Sequence, residues 1–270
     1  MTTMQTDTRA PRAALLTLDG VRKVFGGVTA LKGVSFDVGA REVVGLIGPN
    51  GSGKSTCVNV ISGTMPPTAG EIRLGGTPIH GLPANRVVAQ GLARTFQTTQ
   101  MFEEFTALDS VLVGANLRYQ GSVATNVLGL AGARADAQRV RGEALELLDF
   151  VGLGGRGDVR VSMLSVCEQR LLMVACALAS RPAVLLMDEP AAGMVASERR
   201  VLSALIRRLP ERDVSVMVIE HHMGLIMEVC QRIVVLNFGE KIAEGTPAEI
   251  RNNPAVIEAY LGHHGDAASH

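Results

Sequence analysis

The stretch Gly48-Pro49-Asn50-Gly51-Ser52-Gly53-Lys54-Ser55-Thr56 decides how this chain is read. It fits the phosphate-binding loop G-x-x-x-x-G-K-[ST], which points to a nucleoside triphosphate with Mg²⁺. The glycines let the backbone wrap closely, so that successive N–H groups face phosphate oxygens. Lys54 brings a charge to the β- and γ-phosphates, and the Ser55 hydroxyl is a ligand for Mg²⁺. The flanks agree. Glu42–Ile47 reads as a short buried strand, and Ser55–Ser62 as the helix whose N-terminus faces the phosphates. A glycine-rich turn with a chance lysine would not bring strand, loop and helix in this order.

Working outward, Leu15–Asp19 and Val34–Val38 read as strands, and Glu71–Leu74 with Thr77–His80 as a hairpin about Gly75-Gly76. From about Thr106 to Ser180 the pattern turns helical, over Ala107–Arg118, Arg134–Val151 and Glu168–Ser180. Gly152-Leu153-Gly154-Gly155 stops the second of these. Alternation then returns: strand Ala183–Met187, helix Ser197–Leu209, strands Val214–Ile219 and Gln231–Leu236. Strands alternating with helices imply a parallel sheet covered on both faces. Asn252-Asn253-Pro254 divides Thr246–Leu261 into two short helices.

The bulk properties bound the function. The chain has 270 residues, 47% hydrophobic and 19% charged, enough for one large domain with a substantial core. Lys+Arg 26 balances Asp+Glu 26, so there is no basic field to favour nucleic acid as a partner. No apolar run approaches the ~18–20 residues of a spanning helix. Met1–Arg12 is polar and has no apolar signal core. A cytoplasmic chain is expected, able to reach a membrane only by docking on a membrane partner. The four cysteines, Cys57, Cys167, Cys176 and Cys230, have no C-x-x-C spacing, which argues against a disulfide framework or a zinc site.

A second constellation stands far along the chain. Val184-Leu185-Leu186-Met187-Asp188-Glu189-Pro190 is an apolar strand that ends in two carboxylates. Beside a phosphate loop, Asp188 acts on Mg²⁺ and Glu189 polarises the attacking water. A lone Asp-Glu pair is more often an exposed acidic turn; the lysine of the loop changes that balance.

With these residues in view, the chain resembles the ATP-binding subunit of ABC transporters, from roughly Leu15 to Gly262. Gln97, in Ala93-Arg94-Thr95-Phe96-Gln97, matches the Q-loop glutamine, and Leu164-Ser165-Val166-Cys167-Glu168-Gln169 matches the signature. Ala192-Gly193-Met194-Val195 matches the D-loop, and His221, in Ile219-Glu220-His221-His222, the switch histidine. Phe25 stands where the family stacks an aromatic ring on adenine.

The resemblance implies a P-loop NTPase (RecA-like) α/β core with an antiparallel β layer and an inserted helical lobe. Its implied limits are a flexible 1–13, a core over about 14–97 and 181–245, a lobe over about 98–180, C-terminal helices over 246–262 and a flexible 263–270. It implies ATP and Mg²⁺ as ligands, with Ser55, Gln97 and Asp188 at the metal and Glu189, His221 and Gln97 in catalysis. Two such chains would close on two ATP molecules, each site taking the signature, Ser165 and Cys167 included, from the other chain. Gln97 would carry the movement through the helical lobe to permease subunits at the inner face of the membrane.

Several stretches look like the branched-chain amino acid importers: Ala93–Gln97, Asp188–Met194, Val235–Pro247 and Ala259–Gly262. Such importers also use a solute-binding protein. Competing readings are the ATPase of a lipid or lipopolysaccharide exporter, and a soluble ABC ATPase of ribosomes or DNA. The latter usually has paired ATPase units or a long coiled-coil insertion, and this sequence shows neither.

Single residues carry plainer alternatives. Phe25 competes with a core residue, Gln97 with a surface amide, and His221 with its neighbour His222. Cys57 and Cys230 read as small core residues. Three positions depart from the pattern: Cys167 replaces the second signature glycine, Cys176 an arginine of the following helix, and Val195 a D-loop Asp or Asn. A Cβ at position 167 crowds a backbone that must approach a phosphate. Valine at 195 cannot hydrogen-bond across an interface. A weak, mainly ATP-binding subunit is the expectation these departures raise. A redox role for Cys167, with a pKa lowered at a helix N-terminus, is the lesser one.

Overall fold

The five residues of β3 (Val43–Ile47) are all buried, as are those of β7 (Val184–Asp188) and β8 (Ser215–Ile219). Such runs without a polar face belong in a sheet covered on both sides. In a computed structural model of the chain, residues 14–95, 103–115 and 131–265 are described, with backbone alone at 131–134 and 262–265. There β3 pairs in parallel with β8 and with β9 (Arg232–Asn237), and β7 pairs in parallel with β8 and with β6 (Leu92–Thr95). A last strand, β10 (Glu240–Gly245), runs antiparallel to β9, and the order across the sheet is β10-β9-β3-β8-β7-β6.

Alternate side chains feed two cores. Val43, Ile47, Leu185, Met187, Val216 and Val218 pack with the helical lobe, whereas Val44, Leu46, Val184, Leu186, Met217 and Ile219 pack toward the second sheet. That sheet is antiparallel, of order β2-β1-β4-β5, built from β1 (Ala14–Phe25), β2 (Val28–Gly39), β4 (Ala69–Leu74) and β5 (Thr77–Pro78). Helix α1 (Lys54–Ile61) fills the space between the sheets with Cys57, Val58 and Ile61. Cys57 and Cys230 are buried, as core residues should be.

The lobe is made by α3 (Ala107–Gly114), α4 (Ala131–Phe150) and α5 (Val166–Ala179). A Cβ on Gly114 would stand 2.3 Å from the Cys176 carbonyl oxygen, so α3 crosses α5 where only glycine fits. Helices α6 (Ala196–Arg208), α7 (Met223–Val229), α8 (Pro247–Arg251) and α9 (Pro254–Gly265) complete the later part of the chain.

The structure differs from the sequence expectations at several places. β1 and β2 each run 12 residues, longer than the short apolar cores that announce them. The second hairpin strand covers only Thr77–Pro78, although Ile79 N–H still donates across to Ile72 O at 2.9 Å. β6, β10, α7 and α2 (Ala84–Ala89) are additional elements. α3 ends at Gly114, short of the expected Arg118, and 116–118 lie outside the described residues. Among the described residues no helix is long and apolar enough to cross a membrane.

Candidate active site

Three neighbouring strands, β3, β8 and β7, deliver the candidate residues from their C-terminal ends, where open α/β sheets bind ligands. After β3 the chain makes the phosphate loop. Gly48 has φ +153, and a Cβ there would lie 2.1 Å from the Leu236 carbonyl oxygen, so the loop starts hard against β9. The loop is tied to the next turn as well: Gly239 N–H donates to Ser52 O at 2.9 Å. Lys54 Nζ donates to the carbonyls of Gly48 (2.7 Å) and Pro49 (2.9 Å), which holds its charge at the mouth of the loop. Burial pulls the Lys54 pKa down, and the Glu189 carboxylate pulls it up. Ser55 is exposed at the first turn of α1.

β7 ends on Asp188, whose Oδ2 accepts from Arg94 Nη2 at 2.7 Å, both side chains being largely buried. Arg94 comes from β6 and also holds Asn59 of α1, at 2.7 Å. It was not foreseen as a site residue; a charged side chain in the middle of a buried strand is the signal that marks it. Glu189 has φ +46, an unusual value for a residue with a Cβ, and its N–H donates to Ile219 O at 2.8 Å. Its Oε1 lies 2.8 Å from His221 Nε2, which donates to it. The neighbouring His222 instead caps α7, its Nδ1 accepting from Leu225 N–H at 3.3 Å. Of the two histidines, His221 is the one in contact with the Glu189 carboxylate.

The helix that follows the signature begins with a capping box. Ser165 Oγ accepts from Glu168 N–H at 3.2 Å, and Glu168 Oε2 accepts from Ser165 N–H at 2.8 Å. Val166 is 56% exposed, whereas Cys167 is turned into the lobe core. The expected crowding by the Cys167 side chain is thus relocated: Val166 and the Glu168 carboxylate stand at this helix start. The redox expectation also falls. Burial, with Glu198 and Glu168 adding to it, raises the Cys167 pKa instead of lowering it. Val195, 59% exposed, begins α6 without a side-chain cap; its N–H donates to Glu198 Oε2 at 2.9 Å and its carbonyl accepts from Arg199 N–H at 3.0 Å.

Phe25, at the end of β1, is 46% exposed with Lys23 Nζ 5.1 Å from its ring centre, which removes the core alternative. Gln97 lies outside the described residues. Two side chains that sequence reading passed over reach the site's backbone. Tyr260 of α9 meets Gly48, its phenol raised by burial and opposed by that backbone N–H. Glu220, just past β8, accepts the Ala191 N–H at 2.8 Å.

A phosphate loop beside a strand ending in Asp-Glu, with a histidine on the second carboxylate, defines a nucleoside-triphosphate-hydrolysing P-loop domain. The sequence profile of the ABC transporter family matches residues 31–192, and that of the branched-chain amino acid ATP-binding cassette transporters matches 240–266. The high-affinity branched-chain amino acid transport ATP-binding protein BraF of Pseudomonas aeruginosa is 39% identical over 92% of this chain and 98% of its own. The corresponding LivG protein of Salmonella typhimurium is 37% identical over the same shares. Among solved structures, the ADP conformation of MJ1267, an ATP-binding cassette of an ABC transporter, superposes with a TM-score of 0.80 at 28% identity, covering 92% of this chain and 99% of that one. The dimeric structure of the cassette MJ0796 gives 0.71 at 26%, covering 86% and 99%. The chain belongs to the ABC transporter family, as an ATP-binding, ATP-hydrolysing cassette.

Proposed function

We propose that this chain binds ATP at Gly48–Thr56 and hydrolyses it to drive import of branched-chain amino acids. The observation that carries the hydrolytic part is the 2.8 Å contact between Glu189 and His221 at the ends of adjacent strands. Glu189 takes a proton from the attacking water, and His221 holds the carboxylate in line. Backbone N–H groups of the loop and Lys54 neutralise charge that develops on the phosphates. Phe25 offers its exposed ring to the adenine. The solute is supported by the match at 240–266 and by the names of the relatives.

Mg²⁺ suits the oxygens present: the Ser55 hydroxyl, Asp188 and, from the resemblance, the Gln97 amide are hard donors. Asp188 keeps Oδ1 outside its bond to Arg94, which leaves that oxygen for the metal or its water. When bound, Mg²⁺ would offset the negative charge of the phosphates. A second cassette, permease subunits and, through them, a solute-binding protein complete the assembly, with this chain peripheral on the inner face of the membrane.

Uptake of radiolabelled leucine by cells whose only copy is Glu189→Gln tests this. Loss of ATP-dependent uptake is expected. Intact leucine uptake with failed lipid or lipopolysaccharide export would replace the importer with the exporter reading.

A second reading concerns the half that faces a partner's ATP. Glu168 places a carboxylate, its pKa lowered chiefly by the Ser165 N–H, at the helix start a phosphate would approach. Val195 adds no polar group there. Both features support a chain whose own ATP site is strong and whose service to the partner's site is weak.

A further inference from the structure

We propose that Glu220 is a positioning residue that locks His221 and the turn after Glu189 into one unit. This rests on the hydrolytic reading above and adds to it a residue that acts through the backbone of His221 and of the Ala191 turn.

Glu220 directly follows the last residue of β8 and is only 5% exposed. Its two oxygens are shared between two segments. Oε1 accepts the N–H of Ala191 at 2.8 Å, in the turn after β7. Oε2 accepts the N–H of His221 at 2.8 Å and of His222 at 3.0 Å. Among the described residues no cation pairs with it. A buried carboxylate without a counter-charge is costly unless oriented N–H groups satisfy it, and here three do. Packing alone would be served by an apolar residue at far less cost.

The geometry gives the charge a use. The Glu189 segment meets the β8 segment at three points: Glu189 N–H on Ile219 O, Glu189 Oε1 on His221 Nε2, and Ala191 N–H on Glu220 Oε1. The first two fix Glu189 itself. The third fixes the turn that runs on through Gly193 and Val195, both exposed. Because one carboxylate grips that turn and the His221 backbone together, a displacement of the exposed turn is felt at His221. Hydrogen bonds to charged acceptors are strong enough to transmit it.

Glu220→Gln is the test. The amide keeps the shape but exchanges one acceptor oxygen for a donor, so one of the two segments loses its acceptor. In the purified full-length chain, kcat for ATP is expected to fall at least tenfold, with ATP affinity within twofold of native. Combined with His221→Ala, Glu220→Gln is expected to add no further loss. Amide hydrogen exchange at 191–194 and 221–222 is expected to rise together. Glu220→Asp, which keeps the charge but shortens the reach, is expected to free the Ala191 turn while retaining the His221 bonds; it serves if the amide variant does not fold. A kcat within twofold of native would overturn the proposal, as would a full additional loss in the His221→Ala background, which marks a purely structural residue. If the native chain hydrolyses no ATP even in the assembled transporter, the activity reading fails on its own. The exchange data then decide about Glu220: a joint rise upholds the lock, and independent behaviour of the two segments removes it.

Discussion

Glu189 sits at φ +46 with its carboxylate on His221, so the backbone is bent to aim one side chain. Replacing it by Gln removes the proton acceptor and leaves the phosphate loop untouched. Turnover at this site is expected to drop about 10²-fold or more, with ATP binding retained in equilibrium titrations. The buried thiols give a pH prediction. Burial lifts Cys57 and Cys230 from 9.0 to about 12 in the folded chain. Their folded pKa values are raised, so the stabilising effect is complete below pH 9. It is lost as pH rises from 9 toward 12, because only the unfolded chain releases those protons. Melting temperatures measured from pH 8 to 10.5 should therefore fall, and less steeply in Cys57→Ala or Cys230→Ala. The phosphate loop, Asp188 and Glu189 were legible in sequence because glycines, a lysine and paired carboxylates have few other uses at that spacing. Arg94, Tyr260 and Glu220 were not, since each acts on a partner far away in the chain.

At the scale of elements, Arg232 joins four segments. From β9 it bonds Glu42 before β3 (2.8 Å), Asp37 of β2 (3.1 Å) and Glu244 of β10. Glu42 holds the Arg232 guanidinium far above its ordinary pKa, and Glu42 is itself buried. Arg232→Ala takes the counter-charge from that buried carboxylate, which keeps the Gly39 N–H at 2.7 Å, and a loss of about 3 kcal/mol is expected in urea unfolding. Arg232→Ala with Glu42→Gln should recover part of it. Helices with capping boxes and long apolar stripes could be read within a few residues of their ends. β10 could not: its pattern is mixed because it is an edge strand, half-buried at best. β6 is only four residues long and includes Arg94, which hid its strand character. α7 is capped by His222, and a histidine cap gives a weaker start signal than Ser or Asp.

For the whole molecule, the alternation of strands and helices made the parallel sheet legible, and the break in that pattern after Thr106 marked the lobe. What sequence could not give was which way Cys167 points. In the structure it faces inward, and Val166 and Val195 are the exposed side chains at the starts of α5 and α6. Val166→Gly with Val195→Asn is expected to raise ATP turnover of the assembled complex several-fold, and Glu168→Gln to add to that gain. The central claim is that this chain's own site, built around Glu189, hydrolyses ATP for transport. Steady-state ATP hydrolysis by the assembled transporter, native against Glu189→Gln, tests it most directly. Collapse of turnover with ATP binding intact is the predicted result; turnover at the native rate in the Glu189→Gln complex would contradict it.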